Sequence, residues 1–110
     1  MPRYKMITLT RPVPGREGDY NHWYQDVHLP QVMGIPGLVE AQRFHVERVM
    51  AGDDGLPYAA IYEIETDDID AVLGAINAGM TSGELTMTDA VDASHSLALV
   101  VTACGEVVTA

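Results

Sequence analysis

The stretch Tyr20-Asn-His-Trp23-Tyr-Gln-Asp-Val-His28-Leu-Pro30 sets an aromatic helical face against a proline. Tyr20, Trp23, Tyr24 and Val27 recur at the spacing of one buried helix face. The pattern predicts a helix from about Glu17 to Val27, with Glu17 and Asp19 at its positive N-terminal end. Pro30 disfavours helical backbone in the residue before it, so a break or kink is predicted near His28 and Leu29. Pro30 itself suits the start of a short second turn through Met33, which Gly34 and Pro36-Gly37 end.

Strands flank this helix on both sides. Arg3 to Thr10 alternates and is rich in Ile, Thr, Tyr and Met, and Arg11-Pro-Val-Pro-Gly15 breaks it. Leu38 to Met50 reads as a long second strand. Its two faces both mix polar and apolar groups, which a cavity, a subunit contact or a bulge would explain. Ala51 to Gly55 is a turn cluster, and Tyr58 to Glu65 is a third strand. Thr66 or Asp67 then caps a second helix, carried by Ile69, Val72, Leu73, Ile76 and Met80. Thr81 to Ala93 reads as a loop, with Leu85, Met87 and Val91 available to face inward from a short helix. Ser94 to Thr102 is a fourth strand, and the tail to Ala110 is either an exchanged strand or frayed.

The order strand, helix, strand, strand, helix, strand is the ferredoxin-like α+β pattern. It predicts a four-stranded antiparallel sheet with helices on one face. A second copy on the bare face would make a dimeric α+β barrel. The 110 residues make a single domain, 1–110, with 47% apolar residues to build a core.

Charge narrows the partners. The net charge is −10, all six Lys and Arg lie at or before Arg48, and Val49 to Ala110 carries eleven acids. Such a surface repels phosphate backbones and anionic membranes, so neither nucleic acid nor membrane is expected as a partner. No secretory pattern opens the chain and no apolar run has membrane-span length, which leaves the cytoplasm as the expected location. Cys104, the one cysteine, sits in an apolar setting and reads as core filler.

Several residues carry chemistry. His28 stands where Pro30 interrupts the helix, and imidazole can take and return a proton near neutrality. Tyr24 is its i, i+4 neighbour and could orient it or polarise a carbonyl. Trp23 and Tyr20 belong to the same aromatic group. Arg43 and His45 share a face of the second strand, either toward the helices or toward a partner. Tyr62 can share a cavity wall from the third strand, and Tyr4 or Met6 from the first. Glu63 needs a cation, for which Arg43 or Arg48 would serve. His22 reads as solvent-facing. No cluster has the spacing of a metal site, and no phosphate loop, nucleophile elbow or dinucleotide fingerprint is present.

The segment from Tyr20 to Pro30, continuing through Ile35-Pro-Gly37-Leu-Val, resembles the EthD family of the dimeric α+β barrel superfamily. The resemblance lies in an aromatic pair, a His-x-Pro element and a Pro-Gly turn into the second strand. Ala41-Gln-Arg43-Phe44 continues it, whereas Thr81 to Ala93 matches only through Asp89. The resemblance implies a homodimer with one pocket per subunit, between sheet and helices. Related barrels include muconolactone-type isomerases, polyketide cyclases, cofactor-free monooxygenases and haem proteins. The haem branch does not fit a chain this short, and no cofactor is expected. The sequence therefore points to a cofactor-free isomerase, cyclase or lyase acting on a lactone, quinone or polyketide. His28 and Tyr24 would be catalytic, with Trp23, Arg43, His45, Tyr62 and Tyr20 around the substrate. A non-catalytic binding protein of such a pathway is the alternative.

Overall fold

The alternating segments pair into one sheet in a computed structural model that describes all residues from Met1 to Ala110. Strand β1 spans Arg3–Pro12, β2 Leu38–His45, β3 Tyr58–Glu65 and β4 Val91–Val101. Helix α1 (Glu17–His22) runs through a π-helical turn (Trp23–His28) into α2 (Leu29–Val32), and α3 spans Ile69–Ser82. The sheet order is β2-β3-β1-β4 with every neighbour antiparallel, the ferredoxin-like arrangement.

The register sorts the strand residues into rows that cross the sheet. On the helix side, one row is Arg43, Ala60, Thr8 and Ala98, and the next is Ala41, Tyr62, Met6 and Val100. On the other side, Phe44, Ala59, Leu9 and Leu97 form one row, and Gln42, Ile61, Ile7 and Leu99 form another. Helices cover the first face, where Ala60, Tyr62 and Ile64 are buried. The second face has no cover within the chain, and Phe44, Leu97 and Leu99 are exposed on it. A register shift between Leu38 and Glu40 accounts for the mixed faces of β2. A bulge changes which residues point inward, so Leu38 shares the helix side with Ala41, Arg43 and His45.

The first helix does not break at His28. Pro30 has no N–H and crowds the carbonyl four residues back, which an α-helix cannot absorb without loss. The chain instead widens over Trp23–His28, and the Leu29 N–H bonds the Tyr24 carbonyl five residues back. The helix then continues to Val32 with Pro30 in its first turn. Tyr20, Trp23 and Tyr24 are buried as the stripe predicts.

Elsewhere the boundaries move. Strand β2 ends at His45 rather than Met50. Asp68, not Thr66 or Asp67, caps α3, its Oδ1 accepting from the Ala71 N–H at 3.1 Å. No separate helix follows in the stretch to Ala93: α3 runs on through Ser82 and is capped by Gly83 in a left-handed conformation, and Leu85 folds back onto Gly79. A Cβ at Gly79 would stand 2.9 Å from the Leu85 side chain, so a residue that weakens the helix makes room for the loop. Strand β4 starts early, at Val91, which pairs with Pro12 past the bulge of β1, and Arg11 pairs with Asp92 there at 2.8 Å. Glu63 pairs with Lys5, which stands opposite it in the β1–β3 register, whereas Arg43 faces the other side of the sheet. Cys104 is exposed on a tail without regular structure, not buried. No helix is long and apolar enough to cross a membrane.

Candidate functional site

Small residues on the inner sheet rows leave a space beneath the helices. Ala98 and Thr8 lie side by side there, with Ser96 and Thr10 in the next row. The result is a cavity of about 410 Å³ between the β1–β4 half of the sheet and the helical layer. Helix α3 closes one side with Ile76 and Met80, and the loop after it adds Met87 and Thr88. Trp23, Tyr24 and His28 form the opposite wall, and Tyr62 reaches in from β3. No Asp, Glu, Lys or Arg lines this space. Its size is in the range of small-molecule sites, which are mainly apolar with a few placed polar groups.

The π-helical turn sets the wall. In an i→i+5 winding, residues five apart come together. Accordingly, the Trp23 and His28 rings stack at 4.5 Å between centroids with 22° between planes. Tyr24 meets His28 edge-on at 5.4 Å. Trp23 Nε1 donates to the Thr86 carbonyl at 2.7 Å, which ties this wall to the loop after α3. Gln31 holds the same loop residue twice, donating to Thr86 Oγ1 at 3.0 Å and accepting from its N–H at 2.7 Å.

His28 is 8% exposed, and its Nδ1 is buried with no hydrogen-bond partner. Burial pushes its pKa down from 6.5 to about 4, because a charged imidazole loses its hydration there. His28 is therefore a neutral imidazole throughout the neutral range. Beside it the hydroxyls form a chain: Thr8 Oγ1 to Tyr24 OH at 2.8 Å, and Tyr24 OH to Tyr62 OH at 3.1 Å. Burial and the neighbouring Tyr24 push the Tyr62 pKa far above its ordinary value, so Tyr62 stays a hydroxyl.

Not all the expected site residues meet here. Trp23, Tyr24, His28 and Tyr62 line the cavity, while Tyr20, Arg43 and His45 do not. Tyr20 is wholly buried behind Tyr24, hydrogen-bonded to Thr10. Arg43 lies on the helix side of β2, over the rings of Tyr20, Tyr24 and Tyr58. His45 packs edge-on against Tyr58 at 5.3 Å. His22 is on the surface with Asp26. His95 lies within β4 and bonds Arg11 at 2.8 Å. Asp89 pairs with Arg16 at 3.0 Å. Thr8, Thr10, Thr88 and Ser96 are polar lining residues that sequence reasoning missed, and Thr8 is the one bonded to Tyr24. It shares parity with Met6, which does line the cavity, and parity with a known anchor would have found it. No three His, Cys, Asp or Glu side chains converge as a metal-binding group.

A second, more open depression of about 490 Å³ lies between the Pro36-Gly37 turn and the start of α3. Glu65, Asp67 and Asp68 edge it, and neither of the buried unpartnered side-chain nitrogens, on His28 and Arg43, lies in its lining. The His28 cavity is the better candidate for that reason.

Two solved structures share this architecture. An EthD (ethyl tert-butyl ether D) family protein from Bacillus halodurans C-125 superposes with a TM-score of 0.61 at 20% identity, covering 96% of this chain and 99% of that one. The two share one fold. A dimeric ferredoxin-like protein of unknown function from Jannaschia sp. CCS1 superposes with a TM-score of 0.65 at 14% identity, covering 92% and 99%. No protein-family model and no curated protein matches the sequence. At these identities the likeness to EthD proteins is one of fold, and function rests on the cavity.

Proposed function

We propose that the protein is a cofactor-free acid–base enzyme of the isomerase, cyclase or lyase type, working as a homodimer. Its substrate is a small apolar or aromatic metabolite such as a lactone, a quinone or a cyclising polyketide. The observation that carries this reading is His28, more than nine-tenths buried, unpartnered at Nδ1, and set beside a chain of hydroxyls in an uncharged cavity. A buried polar atom without a partner costs about 1–3 kcal/mol, a cost that packing alone does not offset. In this reading His28 is the base and Tyr24 the group that holds the substrate oxygen. An imidazole with a pKa of about 4 is by itself a weak base. Negative charge developing on a substrate beside it favours the imidazolium, so proton removal and charge formation proceed together.

The probe is 2-tetralone, a neutral aromatic ketone with acidic α-protons. In D₂O the protein is expected to speed loss of the C1 proton signal by tenfold or more over buffer. Tight binding with no faster exchange would instead support a carrier, a reading that the low basicity of His28 favours. Neither binding nor exchange would remove the cavity as a small-molecule site.

The homodimer reading rests on the bare sheet face, with its rows of Phe44, Leu9, Leu97, Ile61, Ile7 and Leu99. The Jannaschia protein is described as dimeric. Sedimentation equilibrium should give twice the 11.9 kDa chain mass, and Leu97→Glu should give the single chain. A wild-type monomer at micromolar concentration would end this part of the reading.

A further inference from the structure

Arg43 is a cation held by aromatic faces and an amide oxygen rather than by a carboxylate. Its guanidinium lies 4.9 Å from the Tyr24 ring centroid, 5.4 Å from that of Tyr58 and 5.5 Å from that of Tyr20. Its Nε is buried without a partner. Its terminal nitrogen donates to the Asn21 amide oxygen at 2.7 Å, and no carboxylate pairs with it. The chain has 16 acids and a net charge of −10, so the absence of a carboxylate partner is a property of the site. Aromatic faces and an amide oxygen hold the guanidinium without neutralising it, so its charge stays available to an anion formed nearby.

The register shows where that anion would form. Arg43 and Thr8 share one cross-sheet row, separated only by Ala60. Tyr24 spans the gap, its ring against Arg43 and its hydroxyl bonded to Thr8 and Tyr62. The positive charge therefore stands behind a pair of tyrosine hydroxyls that face an otherwise uncharged cavity. Prearranged charge and hydroxyl donors aimed at one point stabilise negative charge on oxygen, more strongly where water is excluded. Arg43 acts in the same sense on Tyr20, where it opposes the upward shift that burial imposes on the phenol.

We propose that Arg43 is a positioning residue that acts through the Tyr24 ring to make the Tyr24–Tyr62 hydroxyl pair a holder of anionic oxygen, so that the substrates are neutral carbonyl compounds or phenols converted to enolates or phenolates inside. This rests on the cavity being a small-molecule site as read above. The proton leaves the substrate's α-carbon or phenol oxygen for the His28 imidazole. The electron pair of the broken bond ends on the substrate oxygen at the hydroxyl pair. Reprotonation by the imidazolium at another atom completes an isomerisation with no other reactant.

The test uses 4-nitrophenol, whose neutral and anionic forms absorb at different wavelengths. The ionisation midpoint of the bound dye is read by titration for the wild type, Arg43→Met and Arg43→Lys. Arg43→Met keeps the length of the side chain without its charge. It should raise the midpoint by about one pH unit, a tenfold loss of preference for the anion. Arg43→Lys should stay within threefold of the wild type. Equal midpoints in the wild type and Arg43→Met would overturn the proposal while leaving the cavity reading intact. No binding of the dye to the wild type would overturn both. Arg43→Gln, which can still bond Asn21, replaces the methionine variant if that one does not fold.

Discussion

His28→Phe should lose the exchange of 2-tetralone protons and, at the same time, lose the share of the fold's acid sensitivity that His28 carries. General acid–base groups contribute about 10²- to 10⁴-fold, so the variant's exchange should fall to the buffer rate. The stability effect has a separate origin. Unfolded, His28 titrates near its ordinary value of 6.5, and folded it titrates at about 4. Between those values the unfolded chain binds a proton that the folded one refuses. The folded state is thus fully favoured above about pH 6.5 and loses ground as pH falls to 4. At about 1.4 kcal/mol per pH unit the loss reaches about 3 kcal/mol. Phenylalanine keeps a ring against Trp23, removes the unpartnered Nδ1 and cannot titrate. Urea denaturation at pH 7 and pH 4.5 should show a difference about 2–3 kcal/mol smaller in His28→Phe than in the wild type. Identical pH dependence in the two proteins would show that His28 titrates alike folded and unfolded. Retained exchange would remove it as the base.

Trp23→Ala should cost about 3–5 kcal/mol, the usual range for truncating a large aromatic in a core. Trp23 is 9% exposed, stacks on His28 and meets Tyr24 edge-on at 5.3 Å. The same side chain anchors the Thr86 carbonyl, so its loss also frees the loop that carries Met87 and Thr88 into the cavity wall. Amide exchange over Glu84 to Thr88 should quicken well beyond the rest of the chain. Gln31→Ala provides the comparison. It removes both other ties to Thr86 from the surface and should cost about 1 kcal/mol. A Trp23→Ala cost no larger than that would mean the ring packs far less tightly than its contacts indicate.

The helix and strand order were legible because each rests on periodicity, which a chain displays directly. Tyr20, Trp23 and Tyr24 follow a 3.6-residue period, and the inner residues of β3 follow a period of two. Pro30 was legible as a disturbance, but its outcome was not. Whether the chain bends, breaks or widens depends on which carbonyl takes the Leu29 N–H, and packing decides that. The faces of β2 were illegible because the shift at Val39 changes parity without marking the sequence. The partner of Glu63 was illegible for a related reason. Pairing register places Lys5 opposite it and turns Arg43 to the other side. The candidate site divides along this line. Its helical wall could be read from one segment, whereas Thr8 and the position of Arg43 behind Tyr24 emerge only when four strands are aligned.

The wide turn at Trp23–His28 also constrains the length of the chain. It holds one residue more than an α-helix would need to cover the same rise. Deleting an exposed residue there, Gln25 or Asp26, would remove that surplus residue and leave both flanks of the helix on their present faces. The ordinary winding that remained would press Pro30 against the carbonyl four residues back, the clash that the wide turn relieves. A shortened chain should therefore keep His28 on the cavity side and lose stability instead. The surplus residue between the aromatic pair and Pro30 is the room that the proline requires.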